Sequence, residues 1–231
     1  MSKEEILKKL EELGKERTKA MYIERGAKEP CFGVPVGHLK PIVEAIGTNQ
    51  ELANELFETG IFDAMYLAGI LANPNTMSEE NFEEWISKAY TSMLSDVAVA
   101  VTLSESPLAF KIADKWAKSE NELYRSSAWS TYQWVLKSVP DDKLEKEKIH
   151  SLLNEAVNIL LEETDHVHRV VNDFIAAVGT NYIPLHEEAK QAAAKINELG
   201  KPLKRRFTAE DKIKIDVLKN KLGMKKPIPR C

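Results

Sequence analysis

The chain has 231 residues, of which 43% are hydrophobic and 29% charged, with a formal net charge of −4. That composition is ordinary for a soluble globular protein able to bury a sizeable core, and it argues against a disordered or fibrous chain. No apolar run reaches the roughly 18 residues of a membrane span and no apolar signal region opens the sequence, so a cytoplasmic protein without membrane contact is expected.

In chain order, Ser2 with Glu5 reads as a capping box that starts the first helix. Cys31 follows in an early loop; with Cys231 it forms neither a CxxC pair nor a zinc ligand set, and both are read as incidental. Between Gly26 and Gly37, the residues Gly26, Pro30, Gly33, Pro35 and Gly37 exclude a regular helix. A short β-hairpin or looped excursion is expected there, either reaching into a DNA groove or plugging the end of the fold.

Further capping boxes are predicted at Thr48 with Glu51, Ser119 with Glu122 and Thr208 with Asp211, and another start at Ser106 followed by Pro107. Breakers at Gly60, Asn73-Pro74-Asn75, Pro140-Asp141 and Gly179-Thr180-Asn181 divide helices of about 10 to 20 residues. Apolar residues recur at helical spacing, as in Leu153, Ala156, Val157, Leu160 and Leu161, while strand-like alternation is scarce. Helix pairs over approximately 51 to 72, 79 to 104, 107 to 137 and 143 to 178 recur at an interval near that of HEAT-type repeats. The expected fold is therefore all-α, an α-α superhelix in one domain over 1–231, with a concave groove suited to DNA or to protein. Trp85, Trp116, Trp129 and Trp134 fall within periodic helices and are expected to pack the core. His166 and His168, in Asp165-His166-Val167-His168-Arg169, project from different sides of a helix and make a poor chelate, so no metal is expected. No phosphate loop, nucleophile elbow or dinucleotide fingerprint occurs, and no cofactor is expected.

The last segment is basic. From 201 to 231 there are eleven Lys or Arg against three acids, a net +8 that leaves −12 on residues 1 to 200. Clustered cations such as Lys201, Lys204, Arg205 and Arg206 suit a polyphosphate backbone, from which they release counterions. Arg125, Lys137 and Arg169 are further candidates for phosphate contact.

Several stretches resemble the DNA alkylation repair proteins of the AlkD type. They are Phe32-Gly33-Val34-Pro35-Val36-Gly37-His38-Leu39-Lys40, Glu51-Leu52-Ala53-Asn54-Glu55-Leu56-Phe57-Glu58-Thr59-Gly60 and Asp63-Ala64-Met65-Tyr66-Leu67-Ala68. Met77-Ser78-Glu79-Glu80 leading to Trp85, then Ser106-Pro107-Leu108-Ala109-Phe110 and Trp116-Ala117-Lys118-Ser119-Glu120, continue the likeness over about residues 20 to 200. The resemblance implies a HEAT-like repeat fold that cradles DNA, and in active members hydrolysis of the N-glycosidic bond of alkylated purines. It implies a Trp-Asp-x-x-Asp pattern carrying the carboxylate that stabilises the developing positive charge on the sugar.

Here that stretch reads Met93-Leu94-Ser95-Asp96-Val97, so Val97 replaces the carboxylate. Asp96 lies one residue early, and successive helical residues are about 100° apart, which places it on a different face unless a helix bulge turns it. The resemblance also implies Arg125 as the basic residue of a later helix and Phe174 as a second aromatic at the DNA. These features resemble the AlkF and AlkG branch, which lacks glycosylase activity and prefers branched DNA such as junctions. The expectation is a monomeric, non-catalytic protein for branched or distorted DNA. The alternatives are an active alkylpurine glycosylase using Asp96 or another acid, and a protein-binding helical scaffold.

Overall fold

The computed structural model describes residues 1–198 and 207–225, so Lys201, Lys204, Arg205 and Arg206 lie outside the described residues. Among the described residues every regular element is helical. In chain order these are α1 (Lys3–Leu13), α2 (Glu16–Glu24), α3 (Lys40–Ile46), α4 (Gln50–Glu58), α5 (Phe62–Leu71) and α6 (Glu79–Lys88). A π-helical turn (Leu94–Val99) leads into α7 (Ala100–Ser104), followed by α8 (Ala109–Trp116), α9 (Glu122–Ser138), α10 (Lys146–Ile159), α11 (Asp165–Asn181), α12 (His186–Glu198) and α13 (Ala209–Leu218). No described helix is long and apolar enough to cross a membrane.

The pairs expected from periodicity are present as α4–α5, α6–α7, α8–α9 and α10–α11, and α12–α13 adds another. The second helices of the pairs lie side by side, α5 on the π turn, α7 on α9, α9 on α11 and α11 on α13. The first helices back them from outside, with α4 on α5, α8 on α9 and α10 on α11. This is the stacking of a HEAT-like solenoid, in which each pair buries its apolar stripe only against its neighbours. Between the layers Trp85, Trp116 and Trp129 are buried as expected; Trp129 meets Phe174 and Tyr132 edge-on at 5.1 and 5.4 Å. Burying each such ring contributes about 1.5–3 kcal/mol or more.

Two capping boxes form as read, at Ser2 with Glu5 and Thr208 with Asp211. Two others are corrected by one or two residues. Asn49 caps α4, its side chain accepting from the Leu52 amide at 3.1 Å, and Asn121 caps α9, accepting from Leu123 at 2.9 Å. Asparagine is at least as good a cap as Ser or Thr and stands nearer each helix start. Ser106 accepts from the Leu108 amide at 3.2 Å, and α8 begins only at Ala109.

The segment from Gly26 to Gly37 is a packed loop, not a hairpin, and it folds back onto the molecule instead of reaching outward. The buried Asp63 carboxylate accepts the amides of Phe32, Gly33 and Val34 at 2.6, 3.3 and 2.7 Å, and the Tyr22 hydroxyl donates to the Val34 carbonyl at 3.0 Å. Gly33 sits at φ +75° against the Lys19 backbone, where a Cβ would be 2.4 Å from the Lys19 nitrogen. Burial first, and then the charge of Asp63, push the Cys31 thiol up to about 11, so it stays protonated and unreactive.

Gly69 sets a second close approach. A Cβ there would lie 2.9 Å from both the Cα and the carbonyl oxygen of Ala98, so α5 and the π turn touch backbone to backbone. Gly69→Ala is expected to cost about 1–3 kcal/mol by overpacking, read as a lower urea midpoint at unchanged slope; a cost below about 0.5 kcal/mol would refute the close fit.

Candidate nucleic-acid interface

The inner faces of the π turn, α9, α11 and α13 line a trough. The larger of its two recesses has a volume of about 600 Å³ and is walled by Met93, Asp96, Val97, Trp134, His166 and Arg169, with Arg25 from the end of α2. A second recess shares Gln133 and Asp173 with the first and continues past Lys137, Phe207, Lys212 and Lys219.

The π turn explains where Asp96 points. Its closing bond runs from the Ala100 amide to the Ser95 carbonyl, one residue wider than an α-helical bond, which rotates the side chains that follow. Ser127 and Ser130 of α9 brace the turn, donating to the Ser95 carbonyl, which also accepts the Ala100 amide, and to the Asp96 carbonyl, at 3.0 and 2.8 Å. The expectation that Asp96 points to another face is therefore corrected: Asp96 and Val97 both line the recess.

Asp96 is nonetheless buried, with 8% of the residue exposed, and both carboxylate oxygens have partners. Oδ1 accepts from the hydroxyls of Ser95 at 2.7 Å and Ser126 at 2.6 Å, and Oδ2 is 2.7 Å from His166 Nε2. The other ring nitrogen, Nδ1, is 2.8 Å from Arg169 Nη2. A guanidinium can only donate, so Nδ1 accepts and the ring proton sits on Nε2, directed at Asp96. The chain Asp96–His166–Arg169 thus holds a guanidinium at the trough wall.

The other predicted residues are placed as follows. Lys137 lies with Nζ 4.7 Å from the Trp134 ring centroid and lines the second recess. Arg125 is corrected: its Nε and Nη2 clasp Glu163 at 2.9 to 3.1 Å, and Nη1 donates to the Ser119 and Glu120 carbonyls at 2.9 Å. That pairing ties the start of α9 to the turn before α11 and leaves no donor edge for phosphate. Phe174 is corrected too, because it is completely buried against Trp129 and Tyr132 and offers no face to a base. The described part of the basic segment is largely self-neutralised. Lys212 pairs with Asp173, Lys214 with Glu210 and Lys221 with Asp216, while Lys225 is held by Asp141 and by the carbonyls of Leu136 and Asn181.

Arg25, and His166 as a positioning group, were missed from sequence, and Trp134, expected in the core, is corrected: it is only partly covered and lines the recess. For Trp134 a signal existed: Ser130, Gln133, Trp134 and Lys137 recur at spacings of three and four, which marks a polar face of α9 distinct from the Ala128, Trp129, Tyr132 and Leu136 stripe. No group of three or more His, Cys, Asp or Glu placed to hold a metal occurs among the described residues.

Comparison with known proteins adds to this geometry. A family model described as DNA alkylation repair enzyme matches residues 6–207. The uncharacterized protein Lin0241 of Listeria innocua is 30% identical over 173 residues, 73% of each chain, and Lmo0209 of Listeria monocytogenes is 28% identical over the same share. A solved structure is 42% identical with a TM-score of 0.92 and full coverage of both chains. It is described as representing a new family of proteins related to the HEAT-like repeat DNA glycosylases with affinity for branched DNA structures.

Proposed function

We propose a function from the premise that this chain belongs to the DNA alkylation repair enzyme family: it binds branched or distorted DNA along the concave trough and does not itself release bases. The observation that carries this reading is the state of the Asp96 carboxylate. It is the acid nearest the place where the family's chemistry is expected, yet Ser95, Ser126 and His166 occupy both of its oxygens. Stabilising an oxocarbenium-like sugar needs a carboxylate oxygen aimed at the deoxyribose, and both oxygens here are aimed at the protein.

The trough keeps the cations that phosphate binding needs, namely Arg25, Lys137, Arg169 and Lys219, and Lys201, Lys204, Arg205 and Arg206 are proposed to extend the contact. Phosphate contacts fix register without reading sequence, which suits a partner recognised by shape. The preference for branched DNA is supported by the description of the 42% identical structure, and a DNA partner agrees with a cytoplasmic location.

Gel shifts over duplex, three-way and four-way DNA test the reading. Retardation is expected to be strongest on the branched forms and to weaken steeply with salt, and Lys137→Gln or Arg169→Gln is expected to lower the log–log salt slope by about 1 each. A complete lack of retardation at low salt would overturn DNA binding. Release of bases from methylated DNA, abolished by Asp96→Asn, would overturn the non-catalytic part.

A further inference from the structure

We propose that the recess beside Trp134 is a binding site for one unstacked nucleotide, its base lying against Trp134 and its phosphate taken by Arg25 and Arg169. The inference deepens the DNA-binding reading and rests on it.

Trp134 is the odd one of the four tryptophans. Trp85, Trp116 and Trp129 are at most 2% exposed, whereas Trp134 is only partly covered and lines a recess of about 600 Å³. That volume falls within the range of about 300–1,000 Å³ typical of small-ligand sites. Met93, Val97, Val170 and Trp134 make an apolar side, and Arg25 and Arg169 bring two guanidinium groups to the same space, where the carboxylates of Asp96 and Asp173 are taken up by His166 and Lys212. A flat apolar ring with one phosphate is the ligand that such a pair of walls fits, since every base has a π-face and guanidinium binds phosphate in a directed, bidentate manner.

The site is also preorganised. Lys137 holds the indole by a cation–π contact at 4.7 Å, and His166, fixed by Asp96, holds Arg169 at 2.8 Å. Arg25 is exposed and makes no side-chain ion pair among the described residues, so its charge is available. A base within a continuous duplex presents only its edges and cannot reach the face of Trp134. At a branch point the stack is already broken, and the cost of extruding a base is smallest there. Selection of branched over continuous DNA then follows from the recess itself.

The test uses the full chain and three-way junctions that differ only at the branch point: an unpaired adenosine, an abasic analogue at the same position, or full pairing. Wild type is expected to bind the adenosine junction roughly 5- to 100-fold more tightly than the abasic one. A 2-aminopurine at that position should change its fluorescence on binding. Trp134→Ala should erase the preference and Trp134→Phe should keep most of it, with unaltered circular dichroism showing that both fold. Equal wild-type affinity for the adenosine and abasic junctions, or a preference that survives Trp134→Ala, would overturn the nucleotide site while leaving DNA binding in place. No binding to any junction would overturn the DNA-binding reading itself.

Discussion

Replacing Asp63 by alanine is expected to lower the unfolding free energy by about 3–5 kcal/mol, the largest loss among the polar residues considered. The carboxylate is 3% exposed and serves as common acceptor for the Phe32, Gly33 and Val34 amides. Alanine leaves three buried or part-buried donors without a partner, and the penalty is the desolvation of those donors more than the loss of three average bonds. Cys31 and Val34, buried side chains of the same loop, would lose their anchoring. Asparagine should rescue little, because its amide nitrogen would face backbone donors. Urea unfolding checks the expectation, and a loss below about 1 kcal/mol would mean that the loop is held by its apolar residues alone.

Asp96→Ala is expected to cost about 2–3 kcal/mol and also to weaken junction binding several-fold. The stability loss comes from two serine hydroxyls and an imidazole N–H deprived of their acceptor. The binding loss has a different route: without Asp96 the His166 proton is no longer held on Nε2, and a proton on Nδ1 repels the Arg169 donor. Neither wild type nor variant is expected to release bases. If Asp96→Ala lost stability but bound junctions as wild type does, His166 would have no positioning role. The salt dependence of Arg169→Gln gives an independent measure of the same contact.

Helix periodicity and caps were legible because they are local. A capping box such as Ser2 with Glu5 spans one turn, and the repeat of helix pairs needs only the spacing of apolar residues along each helix. The two misplaced caps, read at Thr48 and Ser119 and found at Asn49 and Asn121, show the resolution of that reading: competing donors and acceptors one or two residues apart are chosen by where the chain enters the helix.

The chemistry of the trough was legible only in part. The absence of an acid at Val97 is a matter of sequence and of the family resemblance. The orientation of Asp96 is not, because the π turn is held by Ser127 and Ser130 from α9 and by the bare backbone of Gly69 from α5, partners roughly 30 residues away in either direction. Arg125 and Phe174 were sound choices of residue type whose roles were decided by Glu163 and by Trp129. By itself the sequence determined an all-helical stack of pairs with a basic end, since those features follow from periodicity and composition. Tertiary structure alone decided which charges and rings face the groove, because a long side chain is committed by whichever partner packing brings within about 3 Å of it.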